Sequence, residues 1–339
     1  MTFSYVTGFS NDPAAAQRSR LAAGLRIDLD RLSSEAVTGR AADQPAALDG
    51  RTAEALRIDN RLADLAGYRA AAESGEARLA AQQVSLATIR DSATALFETV
   101  ETALASGLST GLELVGDDAR SALQTAVSAL NLRYAGSTQF AGDATDGDAL
   151  APSQTILTTS ITTATSAGGG AAGATAVRAS FDTPGDAFDT AFYVGGDGDS
   201  PGIGIEDDIV AETGPRADDA ALRGVLREMT TIAVIAEPGV TPDIEEQRRL
   251  LTEARDRLFG SLEPLAAEAG RLGITEARLA DAATRHAAEE TALGLAREQL
   301  LARDRFEAAS ELNSVETALS TLFAATARLS RLTLSSFLS

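Results

Sequence analysis

A chain of 339 residues with 49 acidic side chains against 29 basic ones carries a net charge of −20, and all 29 basic residues are arginine. Such a surface is repelled by nucleic acid and by anionic lipid, which sets those two partner classes aside; with no cysteine there are no disulfides, thiolate nucleophiles or thiolate metal sites. Hydrophobic residues make up 44% of the chain but aromatics only 4%, which suits long, closely packed alanine- and leucine-rich helices better than a thick globular core.

The first residues, MTFSYVTGFSNDPAAAQRSR, lack the charged-then-apolar pattern of a cleaved secretory signal. No run of about 20 apolar residues is present to span a bilayer. Asn11-Asp12-Pro13 reads as a helix start with proline at the first helical position. Leu21, Leu25 and Leu32 then mark a helix to about Ala36 whose apolar face has no partner nearby in sequence. Thr38-Gly39-Arg40 reads as its stop, with glycine at the position after the cap. Asp43-Gln44-Pro45 reads as the next start, with Asp43 as cap.

From Ala46 to about Leu108 the pattern is helical throughout. Leu65, Ala72, Leu79, Leu86, Ala93 and Val100 recur every seven residues, with Ile58, Ile89 and Leu96 between them. Gly50, Gly67 and Gly75 interrupt this pattern at about 1 kcal/mol each against alanine and are expected to be tolerated. Residues 106–118 read as a turn, with Asp117 or Asp118 capping a further helix to about Tyr134.

Composition changes after Gly136. Residues 140–217 hold twelve acidic side chains against Arg178 and Arg216, half of the net charge in less than a quarter of the chain. The runs TILTTSITT, ATAVRASF, AFYVGG and IGIEDDIV read as short strands separated by glycine-rich turns, with a mobile loop expected at 167–173. A helix follows from Arg216 to Glu237-Pro238-Gly239. Thr241 is the expected cap of the next, with Glu245 and Glu246 in its first turn. Leu272, Leu279, His286, Leu293 and Leu300 form a second long seam that passes into the C-terminal one with its register advanced by one residue.

In the last forty residues Ala308, Val315, Leu322 and Leu329 recur every seven, with Leu312 and Leu319 between. A stripe running almost to a chain end needs a partner elsewhere, and the helix at 13–36 is its natural mate. The plan is therefore mainly α: an elongated antiparallel coiled-coil rod of N- and C-terminal helices, with a small β-rich domain inserted at the far end. Three parts are expected: a terminal assembly domain (1–40 and 301–339), a helical rod (41–139 and 218–300) and an acidic insertion (140–217).

The stretch DRFEAASELNSVETALSTLFAATARLSRLTLSSFL, 304–338, resembles the C-terminus of flagellins and their hook–filament junction proteins. Glu307, Ala308, Ala309, Leu312, Ala318, Leu319, Leu329, Ser330, Leu332, Leu334, Phe337 and Leu338 carry the match. Thr38-Gly39-Arg40 followed by Asp43-Gln44-Pro45-Ala46, and Tyr134 through Gly142, resemble the junction proteins (hook-associated protein 3) more than the filament flagellins, with Gln44 where that pattern has a second aspartate. The resemblance spans roughly 30–142 and 218–338 and does not reach the insertion. It implies a structural subunit of the bacterial flagellum that joins hook to filament. Its paired termini would pack in a homo-oligomeric ring or helical assembly beside a neighbouring hook-associated protein and flagellin. It further implies an export chaperone, export without a cleaved signal peptide and an extracellular place on the flagellum.

The assembly seam so marked comprises Leu21, Leu25 and Leu32 on the N-terminal side. On the C-terminal side it comprises Leu312, Val315, Leu319, Leu322, Leu329, Leu332 and Phe337. Each buried apolar side chain contributes about 1.5–3 kcal/mol, against about 1–2 kcal/mol per residue for ordering the backbone. Isolated termini are therefore expected to stay largely disordered until neighbours add buried area.

No catalytic, cofactor or metal residues are assigned. His286, the sole histidine, occupies a seam position and reads as a packing residue. Asp197, Asp199, Glu206, Asp207 and Asp208 lack EF-hand spacing and read as a solvated acidic surface, with calcium left open. The GGGAAG run lacks the lysine of a phosphate loop. Two further readings stand beside the junction role: a filament flagellin, and a secreted ligand-binding module or adhesin. A metal-dependent enzyme in the acidic insertion is the remaining alternative.

Overall fold

A computed structural model describes residues 13–48, 50–106, 108–207 and 209–337. The fold is mainly α with two small antiparallel sheets. Two compact units divide it, residues 1–65 with 287–339 and residues 66–286. The long helices numbered α3 (Thr52–Ser106) and α8 (Ile244–Leu301) contribute to both.

The first unit begins with α1 (Pro13–Thr38), opened by Pro13 as the sequence requires; Asn11 and Asp12 lie outside the described residues. Gly39 ends it at φ +70°, its N–H donating to the Glu35 carbonyl at 2.8 Å. Asp43 caps the one-turn α2 (Gln44–Ala47), accepting from the Ala46 N–H at 3.2 Å. The expected continuous helix from Ala46 is broken instead: the chain turns through Gly50 at φ +82° and α3 starts at Thr52. An α-helix cannot hold a positive φ, so Gly50 is a hinge between helices and not a tolerated interior glycine. Along the start of α3, Arg61 pairs with Glu289 at 2.7 Å and Asp59 with Arg297 at 2.6 Å, which sets α3 antiparallel to α8 here. Leu48, Ile58, Leu300 and Leu301 form the small core beneath. The last helix, α9 (Arg305–Phe337), packs on α1.

In the second unit the predicted seam residues Ala72, Leu79, Leu86, Ala93 and Val100 of α3 are all buried, as are Leu272, Leu279 and His286 of α8. Phe97 lies 5.5 Å from Phe259 between ring centres, and the Gln83 amide donates to the Ala269 carbonyl at 2.9 Å, so the two helices remain antiparallel. Pro264 sits inside α8 and leaves the Gly260 carbonyl without its helical N–H partner, yet the helix continues. The expected turn at 106–118 is helix: α4 runs Leu108–Leu130. Gly111 lets α4 approach α3, since a Cβ there would lie 2.8 Å from that of Ala103. Asp118 is no cap; it accepts from the Thr99 hydroxyl at 2.7 Å across the two helices.

After α4 comes the hairpin β1 (Arg133–Tyr134) and β2 (Ser137–Thr138), turned by Ala135 and Gly136, both at positive φ. Two of the four predicted strands are helices. TILTTSITT lies in α5 (Ser153–Ser166) and ATAVRASF in α6 (Gly170–Asp182). Ile156, Leu157, Ser160 and Ala164 are buried along α5, and Ala174, Val177, Arg178 and Phe181 along α6, a helical spacing that packs the pair on each other and on α7 (Ala220–Ile235). Packing overrides the strand preference of threonine and isoleucine, and Thr162 and Thr165 turn their hydroxyls back to carbonyls four residues earlier.

Residues 167–173 are not a loose loop. Gly168, Gly169 and Gly170 take positive φ, a Cβ on Gly169 would lie 2.2 Å from the Val240 carbonyl oxygen, and Glu246 accepts from the Ala171 N–H at 2.9 Å, capping α6 from α8. AFYVGG contributes a short π-helix, Phe188–Phe192, and an extended Tyr193 bridged to Leu150. IGIEDDIV, expected as a single strand, is extended but folds into a hairpin of β3 (Ile203–Glu206) and β4 (Ile209–Ala211); Asp208 lies outside the described residues. Asp243, and not Thr241, caps α8, accepting from the Glu245 N–H at 3.0 Å; the Thr241 hydroxyl is buried.

Candidate assembly surface

The terminal pair α1 and α9 is thinly covered. Among its described side chains only Leu32, Glu35 and Ala308 are buried. Of the predicted seam, Leu25, Leu312, Val315, Leu319 and Leu322 are half-buried, whereas Leu21 is 55% and Leu329 44% exposed. Leu332 and Phe337 lie in the last turns of α9, and their side chains fall outside the described residues. Ile27, Val37 and Phe323 are exposed as well, Phe323 with the Arg26 guanidinium 5.6 Å over its ring. Phe306, in the first turn of α9, is 88% exposed. Heptad repetition thus brings the seam to one interface without enclosing it, because two helices can bury only the stripe between them.

The pair is closed at a place where both strands of the helical hairpin break. The expected passage from the α8 seam into α9 is an interruption at 302–304, level with the interruption at 39–43. Arg40 and Ala302 form an antiparallel bridge: the Ala41 N–H donates to the Leu301 carbonyl at 3.0 Å and the Arg303 N–H to the Gly39 carbonyl at 2.9 Å. Asp304 caps α9, accepting from the Phe306 N–H at 2.7 Å. Arg40 grips Glu298 with both prongs of its guanidinium.

Beneath the bridge sits Glu35, 2% exposed. Its carboxylate accepts from the Ala42 N–H at 3.0 Å and from Arg31 at 3.3 Å, and Arg303 approaches to 3.8 Å. Arg303 also holds Glu311 at 2.7 Å and Glu307 at 3.2 Å. Its pKa is raised above the ordinary arginine value, first by the Glu311 hydrogen bond and further by the Glu307 and Glu35 charges. Arg305 lies against Gly39, where a Cβ would meet its Nε at 2.6 Å. Sequence reasoning missed Glu35 and Arg303. The available signal was a carboxylate three residues after Leu32, on the face of α1 that otherwise points inward.

His286 is buried in the second unit, its Nε2–H donating to the Ile205 carbonyl at 2.7 Å and its ring stacked on Tyr68 at 5.7 Å. Arg216 contacts the Asp197 carbonyl and lies 3.6 Å from Asp199, Glu206 faces Arg285 at 3.7 Å, and Asp207 accepts from the Tyr68 hydroxyl. Arginines thus face both acidic stretches, Arg216 at 197–199 and Arg285 at Glu206. Among the described residues no helix is long and apolar enough to cross a membrane.

No protein-family model matches the chain, and no curated protein matches it. Among solved structures, a chain described as a flagellar hook-associated protein from Vibrio parahaemolyticus is similar with a TM-score of 0.52 at 13% identity, over 73% of this chain and 95% of that one. FlgL of Bacillus cereus is similar with a TM-score of 0.50 at 16% identity, over 71% and 98%. At such identities the likeness is one of fold: the chain has the fold of these flagellar proteins, which is the fold that the resemblance of its C-terminal stretch implies.

Proposed function

We propose that this chain is a structural subunit of the bacterial flagellar axis that joins hook to filament through its paired termini. The observation that carries the reading is the terminal pair itself, an apolar seam that its own partner helix leaves half open. Neighbouring copies supply the missing cover: each exposed leucine or phenylalanine enclosed on assembly contributes about 1.5–3 kcal/mol. In this reading residues 1–40 and 301–339 are the assembly domain, 41–139 with 218–300 the helical rod, and 140–217 the insertion. The seam residues Leu21, Leu25, Leu32, Leu312, Val315, Leu319, Leu322, Leu329, Leu332 and Phe337 make the contacts. The partners are further copies, a hook-associated neighbour, flagellin and an export chaperone, and the place is outside the cell on the flagellum. The likeness in fold to the two flagellar structures supports this, and no reaction is proposed.

Deletion of the gene tests it. The expected result is loss of the filament with an intact hook and flagellin monomers released into the medium. Loss of the filament without released flagellin, or only partial loss of motility, points to a filament subunit. Normal flagella and motility overturn the flagellar reading altogether.

A further inference from the structure

The heptad seam of α9 poses a problem of register. Its apolar residues recur every seven positions, so sliding α1 by one heptad would meet much the same surface. We propose that Glu35 and Arg303 are a register pin, positioning residues that fix which level of α1 faces which level of α9 within one chain. The buried carboxylate accepts from the Ala42 N–H and from Arg31 on its own strand, and Arg303 on the other approaches it to 3.8 Å. Seven residues to either side of Arg303 stand Ala296 and Ser310, neither of them cationic. A slipped register would leave the enclosed Glu35 with Arg31 of its own helix and no cation from the opposite strand, and taking away part of the charge pairing around a buried carboxylate costs more than an exposed pair is worth. The same level carries the Arg40–Ala302 bridge and the Gly39 backbone that Arg305 packs against, so pin, bridge and both helix breaks coincide. Register matters for assembly only if the proposed function holds, but the pin concerns the chain's own ends and is tested without assembly.

The absence of native cysteine gives a clean assay. A non-hydrogen-bonded antiparallel bridge brings Cα atoms to about 4.5 Å, within disulfide range. The full-length protein is prepared dilute with R40C paired with A302C (native register), with A309C or with L295C (slipped by one heptad). Oxidation followed by mass analysis reads intrachain crosslinks. With Glu35 and Arg303 intact, only the native pair is expected to close. In the E35M/R303M background, which replaces the ion pair by apolar side chains, native closure is expected to fall about fivefold or more while slipped pairs appear. Undiminished native closure with no slipped product overturns the pin. So does loss of all crosslinking, because an apolar pair should keep the helices together without fixing their register.

Discussion

Gly75 lies inside the 55-residue α3, where glycine weakens a helix by about 1 kcal/mol relative to alanine. Its backbone is helical and asks nothing of glycine. The reason for it is a neighbour: a Cβ there would lie 2.6 Å from Ile203 Cδ1 and 3.0 Å from its Cγ2, so β3 rests directly on the helix. Gly67, in the same helix, meets nothing within 4 Å. Gly67→Ala is therefore expected to raise stability by about 1 kcal/mol, and Gly75→Ala to lower it by a similar amount. Within an Ile203→Ala background, itself less stable by the loss of a buried side chain, Gly75→Ala should be stabilising by about 1 kcal/mol. Urea unfolding of these proteins checks this, and stabilisation by Gly75→Ala alone would show that Ile203 yields freely. Both glycines look alike in sequence; only the strand crossing one of them separates them.

Among the elements, α6, α7 and α8 are tied by charges centred on one buried carboxylate. Glu228 on α7 is fully buried and accepts from Arg178 of α6 at 3.2 Å and from Arg227 at 2.8 Å. Arg178 also reaches Glu253 of α8 at 3.2 Å, and Arg227 holds Asp182 at 2.7 Å. Removing Glu228 strands Arg178 beside it with little access to water. Glu228→Ala is expected to cost about 3–5 kcal/mol, several times the loss from breaking an exposed pair such as Arg90–Asp91. Thermal unfolding followed by circular dichroism measures it; a loss near that of Arg90→Ala would mean that water enters the site. This network explains why ATAVRASF is a helix. In a strand, Arg178 would alternate with its neighbours instead of joining Ala174 and Val177 on one buried face.

Over the whole molecule, charge is divided unevenly. The unit of residues 1–65 and 287–339 has 13 arginines and 16 acidic residues, a net of −3, whereas residues 66–286 have 16 and 33, a net of −17. In the proposed assembly the copies would meet through the nearly neutral unit, while the acidic unit would oppose crowding. Raising ionic strength from about 10 mM to about 150 mM shortens the screening length from about 30 Å to about 8 Å. Self-association of the purified protein is accordingly expected to strengthen over that range in sedimentation velocity. Weakening with salt would instead implicate ion pairs between copies.

The sequence by itself determined that long seamed helices dominate and which residues of α3 face inward, but not where the helices break at Gly50 and 302–304. Leu65, Ala72, Leu79, Leu86, Ala93 and Val100 were marked by spacing alone and are all buried, because a strict heptad leaves a helix one apolar face and one way to hide it. Caps with a local mechanism, at Gly39 and Asp43, were legible for the same reason. Tertiary structure decided the rest. It made helices of two threonine- and alanine-rich runs, ordered the triple glycine against Val240 and Glu246, and set two helix breaks level around a buried Glu35. Each of these depends on a partner tens to hundreds of residues away, which no local pattern can specify.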